Sequence, residues 1–153
     1  MKDYHANGAA GNAAKFKEIA SASVGPMGAL AFEGGEPVGW VAAGPRSRYV
    51  RAVQTPTLKG IDHAENDDVW LVPCFFIRPD MRRRGIARRL LEGAIEMARG
   101  AKASAIEGFP TAGVKLGSAD RQVGTEHLFE SCGFRSIRRP SSSRVLMRLD
   151  LVG

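Results

Sequence analysis

Cysteine is scarce. Cys74 and Cys132 are the only two in 153 residues, and they lie far apart with no metal-ligand spacing. A disulfide framework and a cysteine-built metal site are both excluded as organising devices. Both cysteines are read as reduced, mostly buried thiols. His5, His63 and His127 are scattered, and no metal site is expected. Long apolar runs are lacking too. The longest, Val69 to Ile77, is far too short to span a bilayer. The start, Met1-Lys2-Asp3-Tyr4-His5, has no apolar segment of signal-peptide length. A cytoplasmic protein with no membrane partner is therefore expected. There is no internal repeat and no low-complexity tract. Two nucleotide signatures are also missing, the Gly-Lys-Ser/Thr of a P-loop and the G-x-G-x-x-G of a dinucleotide fold.

What is present suits one folded unit. Hydrophobic residues make up 44% and charged residues 25%, ordinary values for a globular chain. The length allows a real core, so residues 1–153 are expected to form a single domain. The net charge is +6, from 22 Lys+Arg against 16 Asp+Glu, which points to an anionic partner. The arginines are clustered. One group runs from Arg78 to Arg89, and a second includes Arg135, Arg138, Arg139 and Arg144. Local clustering favours a defined phosphate site over a diffuse basic tail.

Residues 1–12 are small, polar and expected to be loose. A helix is expected from Asn12, ended by Gly25-Pro26. Ala29–Phe32 and Pro37–Ala42 read as a hairpin around Gly34-Gly35. Residues 44–67 form a long connection with a short helix near 46–53, and such connections are often functional. Val69–Ile77 reads as a central strand covered on both faces. Pro73 conflicts with that reading unless a bulge or break lies there. A turn at 78–81 leads to an amphipathic helix with Ile86, Leu90, Ala94 and Met97 on one face, stopping at Gly100. A strand over 103–109, a short helix over 126–132 and a final hairpin complete a mixed-sheet α/β domain with helices packed on the sheet.

The strand–turn–helix at 69–99 carries the chemistry. Gly85 near the helix start, with small Ala87 after it, lets a ligand approach the backbone closely. The first helical N–H groups lack internal partners and sit at the positive end of the dipole, making an anion site. Arg82, Arg83 and Arg84 add charge, and a pyrophosphate is the obvious guest. On charge pattern alone, a merely solvated basic helix start explains these residues equally well.

Arg82-Arg83-Arg84-Gly85-Ile86-Ala87 resembles the Gln/Arg-x-x-Gly-x-Gly/Ala motif of the GNAT N-acetyltransferase family. Leu128-Phe129-Glu130-Ser131-Cys132-Gly133-Phe134 is similar to that family's C-terminal pattern of a short helix closed by Gly-Phe. The resemblance covers residue 28 to the end. It implies an acyl-CoA N-acyltransferase fold, with a central, mostly antiparallel sheet and flanking helices. It also implies an N-terminal edge that is abbreviated or completed by a partner chain, as in a homodimer. By the same resemblance the cofactor is acetyl-CoA. Its pyrophosphate would lie on the amides of Arg83, Arg84, Gly85, Ile86, Ala87 and Arg88, with the Arg82 side chain nearby. Its pantetheine arm would pair with the main chain of Phe75, Phe76 and Ile77. Phe129 stands near the coenzyme where many members carry a proton-donating tyrosine. Phenylalanine has no proton to give, so another group, water or an unassisted thiolate must serve.

Acetylating an amine needs a base, because the amine arrives protonated. Glu107, late on the strand after the cofactor helix, and Asp68, with Glu65 just ahead of the central strand, are the candidates. His127, Tyr49 and Cys132 stand behind them. Trp40, Arg46 and Tyr49 are expected to shape the acceptor site under the loop 44–67, with Trp70 either there or in the core. The leading expectation is an N-acetyltransferase acting on a small-molecule or peptide amine. The alternatives are a catalytically silent acyl-CoA-binding module and, with less support, a nucleic-acid binder, since no reading helix or aromatic platform is recognisable.

Overall fold

The computed structural model describes residues 25–113 and 123–152. The expected loose start, the helix from Asn12 and the N-terminal edge lie outside the described residues. Six strands form one sheet: β1 (Gly28–Glu33), β2 (Glu36–Pro45), β3 (Val69–Ile77), β4 (Ala105–Gly108), β5 (Arg135–Arg138) and β6 (Leu146–Asp150). Their spatial order is β1-β2-β3-β4-β6-β5. Only β3 and β4 run parallel; every other neighbouring pair is antiparallel. Helix α1 (Val50–Val53) is one turn long, α2 (Ile86–Gly100) is the crossover between β3 and β4, and α3 (Glu126–Ser131) precedes the last hairpin. The fold is the mixed α/β sheet with flanking helices that the element order implied.

The β1–β2 hairpin closes through Gly34 (φ 58°) and Gly35 (φ 81°). Two successive left-handed residues match the right-handed twist of the strands they join, and glycine adopts that backbone at no steric cost. Helix α2 buries Ile86, Leu90, Leu91, Ala94, Ile95 and Ala98 against one face of the sheet. The approach is close at Gly39, where a Cβ would stand 3.1 Å from both Ile86 and Leu90. The opposite face carries a second, smaller core of Val53, Leu58, Leu71 and Leu146, with Tyr49 and Phe109 packed against it.

The conflict at Pro73 resolves as a bulge. Ala42 faces Cys74, but Gly44 faces Leu71. Two steps along β2 are therefore matched by three along β3, which leaves one residue extra beside Pro73. The bulge shifts the alternation of side chains. Trp70 and Val72 face α2 before it, and Phe75 and Ile77 face α2 after it. Coverage on both faces holds for Val69–Val72, which are all buried, and fails beyond them. Phe76 is 55% exposed, in register with Trp40 and, across β2, with Leu30. Among the described residues, no helix is long and apolar enough to cross a membrane.

Candidate active site

The turn from β3 into α2 leaves donors unpaired. Arg83 (φ 62°) and Gly85 (φ 75°) both adopt left-handed backbone, which turns neighbouring amides toward a common anion. No side chain caps α2. The first bond into the helix runs from the Arg89 amide to the Gly85 carbonyl, at 3.2 Å. The amides of Ile86, Ala87 and Arg88 thus have no intrahelical acceptor. A Cβ on Gly85 would meet nothing within 4 Å, so this surface is open to a ligand. Arg82 and Arg83 are exposed and make no ion pair among the described residues. Arg84 shares its charge with Glu33 (3.3 Å) and Arg88 with Glu92 (3.0 Å).

The second component is a free strand edge. β3 pairs with β4 only from Val69 to Val72, and past Val72 the two strands part. The Arg78 amide donates to the Val38 carbonyl at 2.9 Å. Antiparallel alternation then points the main chain of Phe76 and Cys74 at β2, and that of Phe75 and Ile77 into the gap. An extended ligand can therefore pair with Phe75 and Ile77, whereas Phe76 offers its main chain to β2. Followed along β3, this free edge leads to the unpaired amides of α2. A phosphate-bearing chain with an extended amide arm fits the two parts together.

Phe129 is part of the core. It is fully buried, with edge-on rings of Phe75 at 6.1 Å and Phe134 at 4.9 Å. Its ring lies over Gly108, the last paired residue of β4, so tightly that a Cβ there would collide with it. The expected contact of Phe129 with the coenzyme is thus corrected: the ring walls the gap from behind and presents no surface. Cys132 lies at the end of α3 and is partly buried, and burial pushes its thiol pKa up. Cys74 sits on β3 just past the bulge, its thiol likewise pushed up by burial.

On the face away from α2, beside the gap, lies a cavity of about 220 Å³ whose lining includes Arg46, Glu65, Glu107, Arg138, Leu146 and Arg148. Glu107 points there because it is in register with Leu71, a member of the second core. Its two oxygens are both taken. Arg46 Nη1 donates to Oε2 at 3.0 Å, and Arg148 Nη1 donates to Oε1 at 3.1 Å. Arg46 is fully buried and also donates to the Asp62 carbonyl at 2.7 Å. Arg148 further bonds Glu65 (3.3 Å) and Asp150 (2.8 Å). Burial opposes its charge, but these carboxylates outweigh burial and hold the guanidinium more firmly protonated than usual. Charges withdrawn from water persist only when paired in this way.

Several expected roles change. Asp68 is exposed at the entrance of β3, where its carbonyl holds Ser104. Four steps along the chain separate it from Val72, about 13 Å of strand, so it does not reach the gap. Trp40 lies on β2 beside Phe76 and is absent from the cavity wall. Tyr49 packs on the second core and burial pushes its phenol pKa up, with Arg48 working against that shift. Of the three expected acceptor residues, only Arg46 lines the cavity. Trp70 is core. Arg138 was visible only as a member of a basic C-terminal group, and Arg148 was not singled out. Apart from Asp150, two positions from Arg148, their partners lie 41 to 83 positions away, beyond any local pattern.

Residues 4–134 match the family model described as "Acetyltransferase (GNAT) family". No curated protein matches the chain in sequence, so the remaining likenesses are between structures. A ribosomal-protein-alanine N-acetyltransferase from Brucella melitensis superposes with a TM-score of 0.60 at 19% identity, covering 92% of this chain and 77% of that one. A GNAT acetyltransferase from Streptococcus pneumoniae gives 0.58 at 16% identity, covering 90% and 74%. The protein yncA from Salmonella typhimurium, solved with its cofactor acetyl-CoA, gives 0.50 at 17% identity, covering 81% and 64%. At these identities the superpositions establish the shared fold, and the family match covers most of the chain. On the strength of that family match, the chain belongs to the GNAT family of acetyltransferases, enzymes that use acetyl-CoA to acetylate amines.

Proposed function

We propose that this N-acetyltransferase passes the acetyl group directly to the amine of a small molecule or peptide held in the cavity beside Glu107. The observation that carries this reading is the parting of β3 from β4 at Val72 and Gly108. One side of that gap runs to the amides of Ile86, Ala87 and Arg88, and Glu107 lines a polar cavity next to it.

Bound acetyl-CoA would supply an acetyl thioester whose C–S bond breaks as the amine nitrogen bonds to the carbonyl carbon. The chain's own groups hold and orient it. The unpaired amides of α2, with Arg82 and Arg83, take the pyrophosphate. The main chain of Phe75 and Ile77 aligns the arm, and an N–H of that edge is placed to stabilise negative charge on the carbonyl oxygen. Phe129, Phe75 and Phe134 wall the gap with apolar rings and exclude water from one side.

Proton removal from the amine falls to Glu65 in preference to Glu107. Both Glu107 oxygens are occupied by guanidinium donors. Glu65 uses Oε2 for Arg148 and its side chain is 40% exposed at the cavity, which leaves Oε1 free. Glu107 then acts as the anchor that positions Arg46 and Arg148. No hydroxyl stands at position 129, so the thiolate leaves without help from α3, a tolerable outcome for a thiol whose ordinary pKa is near 8.5.

The test is to mix the protein with acetyl-CoA and a broad amine panel and to follow released thiol. Turnover with at least one amine is expected. Acetyl-CoA at about one hundred times its Kd should stabilise the fold by roughly 2.7 kcal/mol. Absence of both the thiol signal and the thermal shift would sink the reading.

A further inference from the structure

The cavity beside Glu107 is divided by charge. At one end Arg46 and Arg148 face Glu107 and Glu65, with Asp150 behind them. Asp150 is shared with Arg135, so the charges at this end balance, but Glu65 keeps one oxygen unused. At the other end stands Arg138. Its Nη1 donates to the Lys59 carbonyl and its Nη2 to the Thr57 carbonyl. Both acceptors are neutral. Its Nε is buried without a partner, and no carboxylate pairs with it among the described residues. One wall thus carries a positive charge that no carboxylate offsets, while the other offers a half-exposed carboxylate oxygen with no donor on it.

The sheet order sets the direction of this polarity. Glu107 is on β4, Arg148 and Leu146 on β6, and Arg138 on β5. The end that holds Glu107 and Glu65 therefore adjoins the gap, and the Arg138 end lies two strands away, about 10 Å. Ile61, Ile137 and Leu146 line the cavity between the charges. At about 220 Å³ the cavity is smaller than the roughly 300–1,000 Å³ of drug-sized sites. A ligand that satisfies both ends within that space bears an amine and a carboxylate on one short frame.

We propose that the acceptor is an amino acid, or a compound with the same pairing of amine and carboxylate, held by its carboxylate on Arg138 with its amine at Glu65 beside the gap. This rests on the acetyltransferase reading for the reaction but not for the binding. Arg138 is a specificity-determining residue in this scheme. It donates a charge-assisted hydrogen bond to the carboxylate through the Nη hydrogens left over, while the other Nη hydrogens hold the 57–59 backbone in place.

The experiment is calorimetric titration of the whole protein with α-, β- and γ-amino acids, each responding acid set against its amide and its decarboxylated amine. Acetylation rates are then measured on the same compounds. The acid is expected to bind and react better than either analogue by on the order of tenfold or more, the size of one charge-assisted hydrogen bond. Arg138→Gln should erase that preference with acetyl-CoA affinity unchanged, and Arg138→Lys should restore part of it. Arg138→Gln could also loosen the loop it clamps. That alone would weaken acid and amine equally, and an equal loss overturns the proposal. The wild-type comparison stands even if the variant does not fold. An amide or amine that binds as well as the acid, or an amino-acid panel in which nothing binds, also overturns it. Acetyl-CoA binding and acetylation of simple amines in those same trials would leave the acetyltransferase reading intact.

Discussion

Gly85 has room for a side chain in the protein alone, so what forbids one is backbone and ligand. A β-branched residue at φ 75° costs about 1–2 kcal/mol, and its methyl groups would stand where the phosphate must approach. Gly85→Val should therefore fold with a modest loss of stability and lose acetyl-CoA binding, as measured by calorimetry. Normal affinity in the folded variant would place the cradle elsewhere. Glu107 makes the opposite case, because its carboxylate is buried and both oxygens are held by guanidinium donors. Glu107→Ala leaves Arg46 buried with its main charge partner gone, and a loss of about 3–5 kcal/mol is expected in a denaturant titration. A cost under about 1 kcal/mol would mean that water already reaches Arg46. The sequence exposes the first residue and hides the second. A glycine after an arginine run at a helix start is a local signal. The Arg46–Glu107 pair spans 61 positions, and neither neighbourhood announces it. Phe129 is hidden in the same way, since its place on a short helix says nothing of the three partners that bury it.

Among the elements, β3 has the largest effect on the site. Its apolar run was legible, and so was the conflict at Pro73. Less legible was that one extra residue keeps Phe75 and Ile77 on the face where Trp70 and Val72 already lie. Deleting Pro73 would remove the extra residue without re-facing Phe75 or Ile77, so what it alters is the bend at which β3 leaves β4. The expected result is a lower melting temperature with acetyl-CoA no longer raising it, checked by thermal unfolding with and without the coenzyme. An unchanged shift would show that the bulge does not set the gap. The connection 44–67 was legible as helical near 46–53, where the structure has a 3-10 turn at Arg46–Arg48 and α1. Its placement was not legible, because Arg138 from β5 fixes residues 57 and 59.

Over the whole molecule, the net charge of +6 divides into used and unused parts. The C-terminal arginines, which had suggested nucleic acid, are engaged internally. Arg135 pairs with Asp150, Arg139 with Glu126, and Arg138 clamps a loop. Two carboxylates beside arginines titrate below their usual range. Arg148 and Arg135 hold Asp150 below its ordinary 3.8, and Arg78 holds Asp80 below the same value. A depressed carboxylate contributes stability above its unfolded pKa and loses it as pH falls through the folded value. Stability should thus decline from about pH 4 downward. Asp150→Asn should flatten that decline slightly, and added salt should weaken the effect, since the pair is exposed. A thermal-unfolding series across acid pH checks this, and an unaltered slope in the variant would rule out the pair as a contributor. The arginine clamp on the 57–59 backbone also bears on modularity. The proposed coenzyme half of the site, apart from the rings of Phe129 and Phe134 behind the gap, is written in one stretch from Val69 to Gly108. The proposed acceptor half joins a loop near the middle of the chain to a hairpin near its end. Anyone who grafts a new loop onto this scaffold to change its acceptor must exchange β5 with it, because either piece alone would arrive without its counterpart.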